Sequence, residues 1–201
     1  MIAEAARAAV AERGTFSLAV SGGEAPWKMF ARLADEDVLW EATQIFQVDE
    51  RIAPDGDPAR NLTHLQRCLP PAAAERVRPM PVDDEDLEGA AQRYADALPE
   101  QIDLIHLGLG PDGHTASLVP SDSVLEVTDR RVARTTREYE GHRRMTLTYP
   151  TLAAARQILW LVTGEDKRDA LAKLLAGDPS IPAGRVEARD ESVLANRAAA
   201  A

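Results

Sequence analysis

Hydrophobic residues recur along the chain with two different spacings, which predict an alternation of helices and strands. Residues 2–13 carry apolar side chains at helical spacing and are followed by Gly14, a residue suited to closing a helix. Residues 16–20 form a short, largely apolar run and lead into Ser21-Gly22-Gly23, after which Pro26 marks the first turn of a second helix. The opening of the chain therefore predicts helix, strand, glycine turn and helix.

The same order of strand, polar turn and helix recurs later in the chain. Further strands are predicted for residues 44–48, 102–107 and 157–162, and further helices for residues 82–98 and 166–175. Strands that are apolar on both faces and alternate with helices are typical of a parallel sheet covered on both sides. The sequence therefore predicts an α/β fold with a mainly parallel sheet flanked by helices on both faces. The proline-rich stretch 69–81 is expected to be a long connection.

Composition and charge narrow the classes of protein. The 201 residues are 45% hydrophobic and 28% charged, which is typical of a globular chain and suits a single domain, 1–201. Thirty-three acidic residues against 23 basic ones give a net charge of −10, which disfavours electrostatic binding to nucleic acid or to an anionic membrane. Any anionic ligand must therefore be held by local cations.

Location is predicted from the cysteine count and the N-terminus. The single cysteine, Cys68, argues for a reducing compartment. Charged residues interrupt segment 1–13, unlike a signal peptide, and the apolar runs are too short to cross a bilayer. We therefore expect a cytoplasmic protein with neither a membrane nor a nucleic acid as partner, acting as a monomer.

Candidate chemistry follows the ends of the predicted strands. In open α/β sheets, ligands bind beyond the carboxyl ends of the strands, so these turns should converge in space. The turns are Ser21-Gly22-Gly23, Asp49-Glu50-Arg51, 108–115 and 164–167. Gly22 and Gly23 before a helix would let backbone amides approach a phosphate, although a plain tight turn explains them equally well. Glu24 beside them opposes phosphate binding unless its side chain faces solvent.

Segment 108–113 has the glycine spacing of a dinucleotide-binding loop, but Pro120 would interrupt the helix that such a loop requires. Asp112 and His114 are of greater interest. A histidine oriented by a nearby carboxylate is a suitable general base near neutral pH, and the alternative is a histidine that only stabilises its loop.

Cations near the same edge are candidates for binding an anion. Lys167 lies at a predicted helix start, where the helix dipole disfavours a positive charge unless an anion is bound. Arg143 and Arg144 precede another strand candidate, with a solvated surface pair as the alternative. Arg51 follows a strand and is also explained by an ion pair. The other histidines show no metal-binding spacing, so no metal site is predicted.

Together these segments resemble the glucosamine-6-phosphate isomerase/6-phosphogluconolactonase superfamily, and within it the 6-phosphogluconolactonases. The resemblance extends from about residue 16 to residue 187. The motifs that carry it, in order, are SGGEAP from Ser21, VDERIAP from Val48 with RNL from Arg60, LGLGPDGHTASLVP from Leu107, RMTLT from Arg144 and GEDK from Gly164.

The resemblance implies a Rossmann-like fold and hydrolysis of 6-phospho-D-glucono-1,5-lactone in the oxidative pentose phosphate pathway, without metal or organic cofactor. It implies that His114 is the general base and that Asp112 and Asp49 orient the histidine or the sugar hydroxyls. The implied phosphate ligands are Ser21, Gly22, Gly23, Arg144 and Lys167. Arg51 is implied to line the pocket.

The sequence departs from the family pattern at a few positions. Glu24 and Ala25 replace residues often seen in the phosphate loop, and family members usually carry a further N-terminal segment. The related deaminases carry an acid five residues beyond the histidine, where this chain has Val119. A glucosamine-6-phosphate deaminase and a non-catalytic sugar-phosphate binding protein remain the alternatives.

Overall fold

The computed structural model describes residues 1–200 and contains two sheets with helices packed around them. The strands are β1 (Phe16–Val20), β2 (Thr43–Gln47), β3 (Asp49–Arg51), β4 (Val77–Arg78), β5 (Leu104–Leu107), β6 (Val132–Arg134), β7 (Arg144–Leu147), β8 (Gln157–Val162) and β9 (Glu191–Ala195). The α-helices are α1 (Ile2–Arg13), α2 (Glu24–Arg32), α3 (Asn61–Cys68), α4 (Pro71–Ala74), α5 (Leu87–Ala97), α6 (Tyr149–Ala153), α7 (Arg168–Leu175) and α8 (Arg197–Ala200).

The larger sheet has six strands in the order β4-β2-β1-β5-β8-β9, and every pairing in it is parallel. The chain moves outward from β1 through β2 to β4, then returns to the other side of β1 and continues through β5, β8 and β9. The strand order therefore reverses between β1 and β5. Ligands bind at such a reversal in open α/β folds.

Both faces of this sheet are buried, which explains why its central strands are largely apolar. Leu18 and Val20 of β1 pack into one hydrophobic cluster with helices α1 and α2. Ala19, between them, belongs to the cluster on the opposite face, with Tyr94 of α5 and Leu171 of α7. Successive strand residues point to opposite faces, so a strand covered on both sides is apolar over most of its length. The predicted α/β fold class is confirmed.

The smaller sheet was not predicted. It is antiparallel, with the order β3-β7-β6, and it pairs Asp49 with Thr146 and Arg51 with Arg144. Residues 49–51, which were expected to form a turn after a strand, are a strand themselves. Their partner lies far along the chain, so no local pattern of residues could reveal the pairing.

The end of helix α1 and the start of helix α5 are set by residues adjacent to them in the sequence. Helix α1 ends at Gly14, whose left-handed φ of 77° closes it as expected. The helix expected over 82–98 is shorter because Asp86 accepts a hydrogen bond from the Gly89 amide and caps α5. The connection 69–81 contains α4 and the edge strand β4, both of which were missed.

No helix in residues 1–200 combines the length and apolar character needed to span a membrane.

Candidate active site

A polar cavity of about 420 Å³ lies at the carboxyl ends of β1 and β5, where the strand order reverses. The turns that follow β1, β5 and β8, and strand β3 itself, contribute to its wall. Every predicted site residue except Asp112 lines this cavity: Ser21, Gly22, Gly23, Asp49, Arg51, His114, Arg144 and Lys167. Residues far apart in sequence are thus brought together as the strand-end argument predicted.

His114 and Asp112 form a hydrogen-bonded pair on the loop after β5. Asp112 Oδ1 lies 2.6 Å from His114 Nδ1 and also accepts the His114 backbone amide at 3.1 Å. Because a carboxylate only accepts, Nδ1 must carry the ring proton, which leaves Nε2 as the basic nitrogen. Burial raises the Asp112 pKa, but the hydrogen bonds and charge interaction with His114 outweigh it and place the pKa below its ordinary value.

Glycine at position 110 makes room for this pair. A Cβ atom at Gly110 would collide with the His114 ring and with the Asp112 carboxylate. The Gly110 amide donates to the His114 carbonyl oxygen at 2.8 Å, which folds the loop back on itself. The glycines of this segment therefore serve a tight loop around a histidine, which agrees with rejecting a dinucleotide-binding role.

Tyr139 adds a third side chain to the pair. Its hydroxyl lies 3.1 Å from Asp112 Oδ2 and 3.2 Å from His114 Nδ1, and its ring meets the histidine ring edge-on at 5.0 Å between centroids. Burial, and then the negative charge of Asp112, raise the Tyr139 pKa to about 12. The hydroxyl therefore stays protonated and can donate to Asp112 at any physiological pH.

Asp49 lies on a different part of the cavity wall. It is buried, its Oδ2 accepts the Ser117 hydroxyl at 2.6 Å, and its Oδ1 lies 3.5 Å from Asn61 Nδ2. Asn61 also donates to the Asp49 carbonyl oxygen at 3.0 Å and accepts a hydrogen bond from Arg51. These contacts hold Asp49 and Arg51 at the cavity through Asn61, and none of them involves His114.

Glu50 supports this wall from behind. It is completely buried, and its carboxylate accepts the backbone amides of Arg51, Asn61 and Leu62 at 2.7 to 2.8 Å. Arg60, also buried, approaches the same carboxylate at 3.8 Å. Glu50 thus links β3 to the first turn of α3 and sets the position of Asn61.

Three cations border the cavity: Arg51, which bonds to Asn61, and Arg144 and Lys167, each of which is paired with an acid. Arg144, only 3% exposed, donates to Glu140 Oε2 at 2.9 Å and to the Tyr139 carbonyl oxygen at 3.1 Å, while its Nε has no hydrogen-bond partner within residues 1–200. Lys167 Nζ lies 2.9 Å from Asp166 Oδ2. Arg144 and Lys167 are therefore candidate contacts for an anion in the cavity.

The loop after β1 is also suited to an anion. The Ser21 hydroxyl is buried, and among the described residues it has no hydrogen-bond partner. Gly22 has no room for a Cβ atom, which would collide with Asn61 and Trp27. Glu24 does not oppose anion binding here, because its exposed carboxylate pairs with Lys28 along helix α2 at 2.6 Å.

His106 and His64 are not among the residues that line this cavity. His106 is buried in β5 against Phe30, and His64 of α3 stacks on Trp27. No group of three or more His, Cys, Asp or Glu side chains among residues 1–200 is placed to hold a metal ion.

Sequence reasoning missed Asn61 and Tyr139 as site residues. Asn61 stands within the RNL motif, which could have identified it, whereas no local pattern marks Tyr139.

Comparison with known proteins identifies the family. The family model for glucosamine-6-phosphate isomerases/6-phosphogluconolactonase matches residues 1–195. This chain belongs to that family. The resemblance inferred from the sequence motifs is therefore confirmed.

Relatives and solved structures agree with this assignment. A 6-phosphogluconolactonase of Synechocystis is 36% identical over 92% of this chain and 83% of its own length. One of Mesorhizobium japonicum is 35% identical over 90% of this chain and 80% of its length. The crystal structure of the Thermotoga maritima 6-phosphogluconolactonase superposes with a TM-score of 0.86 at 26% identity, covering 96% of this chain and 90% of the other. These relatives are hydrolases of a sugar lactone, the enzyme class that the sequence predicted.

Proposed function

We propose that this protein hydrolyses 6-phospho-D-glucono-1,5-lactone to 6-phosphogluconate, with His114 as the general base. The observation that carries the proposal is the His114–Asp112 pair at the wall of a cavity that also contains cations for a phosphate group. A cavity of about 420 Å³ falls within the range typical of small-molecule sites.

His114 Nε2 takes a proton from a water molecule as the water oxygen attacks the lactone carbonyl carbon. The resulting tetrahedral intermediate collapses with cleavage of the bond to the ring oxygen, and the histidine returns its proton to that oxygen. Asp112 keeps the proton on Nδ1 and stabilises the imidazolium that forms in between. The product is a carboxylic acid, which then ionises.

The phosphate group is held at the other part of the cavity by Arg144, Lys167 and the loop of Ser21, Gly22 and Gly23. Asp49 and Arg51 then contact the sugar. Binding the phosphate, which is remote from the reacting carbon, positions that carbon against His114 and lowers the entropic cost of reaction.

The decisive experiment is the rate of lactone disappearance above the spontaneous rate. The lactone is generated in the assay from glucose 6-phosphate, and wild type, His114→Ala and His64→Gln are compared with a reaction lacking this protein. We expect acceleration by wild type and His64→Gln, and a kcat lower by about 10² or more for folded His114→Ala. Near-normal turnover of His114→Ala would remove His114 from the mechanism, and no acceleration by wild type would refute the lactonase assignment.

A separate assay with glucosamine 6-phosphate as substrate distinguishes the related deaminase. The related deaminases rely on an acid five residues after the histidine. In this chain the buried Val119 occupies that position. We therefore expect no ammonia release from glucosamine 6-phosphate.

A further inference from the structure

We propose that Tyr139 is a positioning residue for this reaction: its hydroxyl restrains the Asp112 carboxylate and thereby holds His114 in its reactive orientation. The inference rests on the proposed function of His114 as a general base. It concerns a residue outside the motifs on which the family resemblance depends.

The geometry leaves Asp112 with one oxygen for each partner. Oδ1 receives the His114 ring at 2.6 Å, and Oδ2 receives the Tyr139 hydroxyl at 3.1 Å. The Asp112 side chain is 35% exposed, so without Tyr139 one carboxylate oxygen would face only solvent. A carboxylate held at both oxygens cannot rotate about its terminal bond, whereas one held at a single oxygen can.

Tyr139 is itself held firmly. Its amide donates to the His142 carbonyl oxygen at 2.9 Å and its carbonyl oxygen accepts the His142 amide at 3.3 Å, which closes a tight turn through Glu140 and Gly141. Both central residues of that turn have positive φ, 52° and 79°. The left-handed backbone is unfavourable for the non-glycine Glu140, whose carboxylate accepts a hydrogen bond from Arg144 at 2.9 Å.

The guanidinium of Arg144 completes the support, because its carbon lies 5.0 Å from the centre of the Tyr139 ring. One turn therefore carries the side chain that restrains the acid–base pair and also contacts the cation assigned to phosphate.

The test uses Tyr139→Phe, which removes only the hydroxyl and keeps the ring beside Arg144. Its matched control is Tyr149→Phe. Tyr149 also lies under an arginine, with the Arg185 guanidinium carbon 5.0 Å from its ring, but its hydroxyl donates to the Pro182 carbonyl oxygen at 2.9 Å, outside the cavity. We expect Tyr139→Phe to lower kcat by about five- to tenfold with KM unchanged, and Tyr149→Phe to leave both unchanged.

A double-mutant cycle with Asp112→Asn distinguishes positioning from a general structural effect. If Tyr139 acts through Asp112, adding Tyr139→Phe to Asp112→Asn causes no further loss of kcat. A wild-type kcat in Tyr139→Phe, a loss that multiplies with that of Asp112→Asn, or a change confined to KM would overturn the inference.

A readout independent of turnover separates this inference from the proposed function. In wild type, the His114 Nδ1 proton should exchange slowly with water and give an observable NMR signal, because Asp112 shields it. We expect that signal to broaden in Tyr139→Phe and to persist in Tyr149→Phe. An equally sharp signal in both variants would refute the positioning role even if the wild type proved to have no lactonase activity.

Discussion

His106 and His114 are close in sequence but have opposite environments. His106 is fully buried against the edge of Phe30, and within residues 1–200 its Nε2 has no hydrogen-bond partner. Burial lowers the His106 pKa from 6.5 to about 3, so this ring stays neutral at neutral pH. His114, in contrast, borders the cavity with a carboxylate on one nitrogen. Of these two histidines, only His114 lines the cavity.

The buried His106 should weaken the protein in acid. Between pH 6.5 and about 3 the unfolded chain binds a proton at this histidine that the folded chain does not, so stability falls as pH decreases through that window. Each pH unit there contributes up to about 1.4 kcal/mol. We therefore expect the free energy of unfolding, measured with urea, to fall less between pH 7 and pH 4.5 in His106→Gln than in wild type. Equal losses would contradict a neutral buried His106.

Lys167 should contribute to binding of the phosphate and not to the chemical step. Removing one charged hydrogen-bond donor to a phosphate costs about 1.5–3 kcal/mol, so Lys167→Ala should raise KM for the phosphorylated lactone by about tenfold or more. The kcat of Lys167→Ala for the phosphorylated lactone should change little, and so should its rate with unphosphorylated gluconolactone. Lys173→Ala, on the exposed side of α7, is the control. An unchanged KM in Lys167→Ala would exclude this contact.

At the scale of elements, one buried carboxylate joins a strand to a helix. No side chain from Arg60 caps α3, and the Glu50 carboxylate instead accepts the amides of Asn61 and Leu62 at its first turn. Because Asn61 in turn holds Asp49 and Arg51, the cavity wall depends on this junction between β3 and α3.

Glu50→Ala should therefore destabilise the fold strongly. The substitution leaves the buried Arg60 with only the exposed Asp55 as an acidic neighbour and removes the acceptor of the Asn61 and Leu62 amides. We expect a loss of about 3–5 kcal/mol in the free energy of unfolding. Glu50→Gln keeps the shape of the side chain and should lower the free energy of unfolding by less. Chemical denaturation measures both, with Glu75→Ala at an exposed position as the control. A loss below about 1 kcal/mol for Glu50→Ala would contradict this role.

At the scale of the whole molecule, the cavity exists only when the sheet is assembled. Its walls come from the ends of β1, β5 and β8 and from the smaller sheet, and no single segment contains a complete site. A ligand that binds the cavity therefore binds the folded state alone and stabilises it.

The product 6-phosphogluconate should accordingly raise the melting temperature, whereas gluconate, which lacks the phosphate, should not at the same concentration. At a free ligand concentration of a hundred times Kd, binding stabilises the folded state by about 2.7 kcal/mol. Arg144→Ala should abolish most of the increase. Equal stabilisation by gluconate and 6-phosphogluconate in a thermal melt would show that the phosphate is not recognised.

The sequence by itself determined the elements whose causes are local. Largely apolar runs predicted β1 and β8, Gly14 predicted the end of α1, and the glycines around Asp112 and His114 predicted a loop after β5. These patterns can be read because burial on both faces requires apolar residues over most of a strand, and because only glycine readily adopts a left-handed turn.

Only the tertiary structure decided which distant segments meet. The pairing of residues 49–51 with β7, the Glu50 carboxylate at the start of α3, and the Tyr139 hydroxyl on Asp112 all join parts of the chain that are remote in sequence. Such contacts depend on strand register and on the path of the connecting segments. A hydrophobic pattern specifies which face of an element is buried, but it does not specify which polar side chain arrives from elsewhere to complete the site.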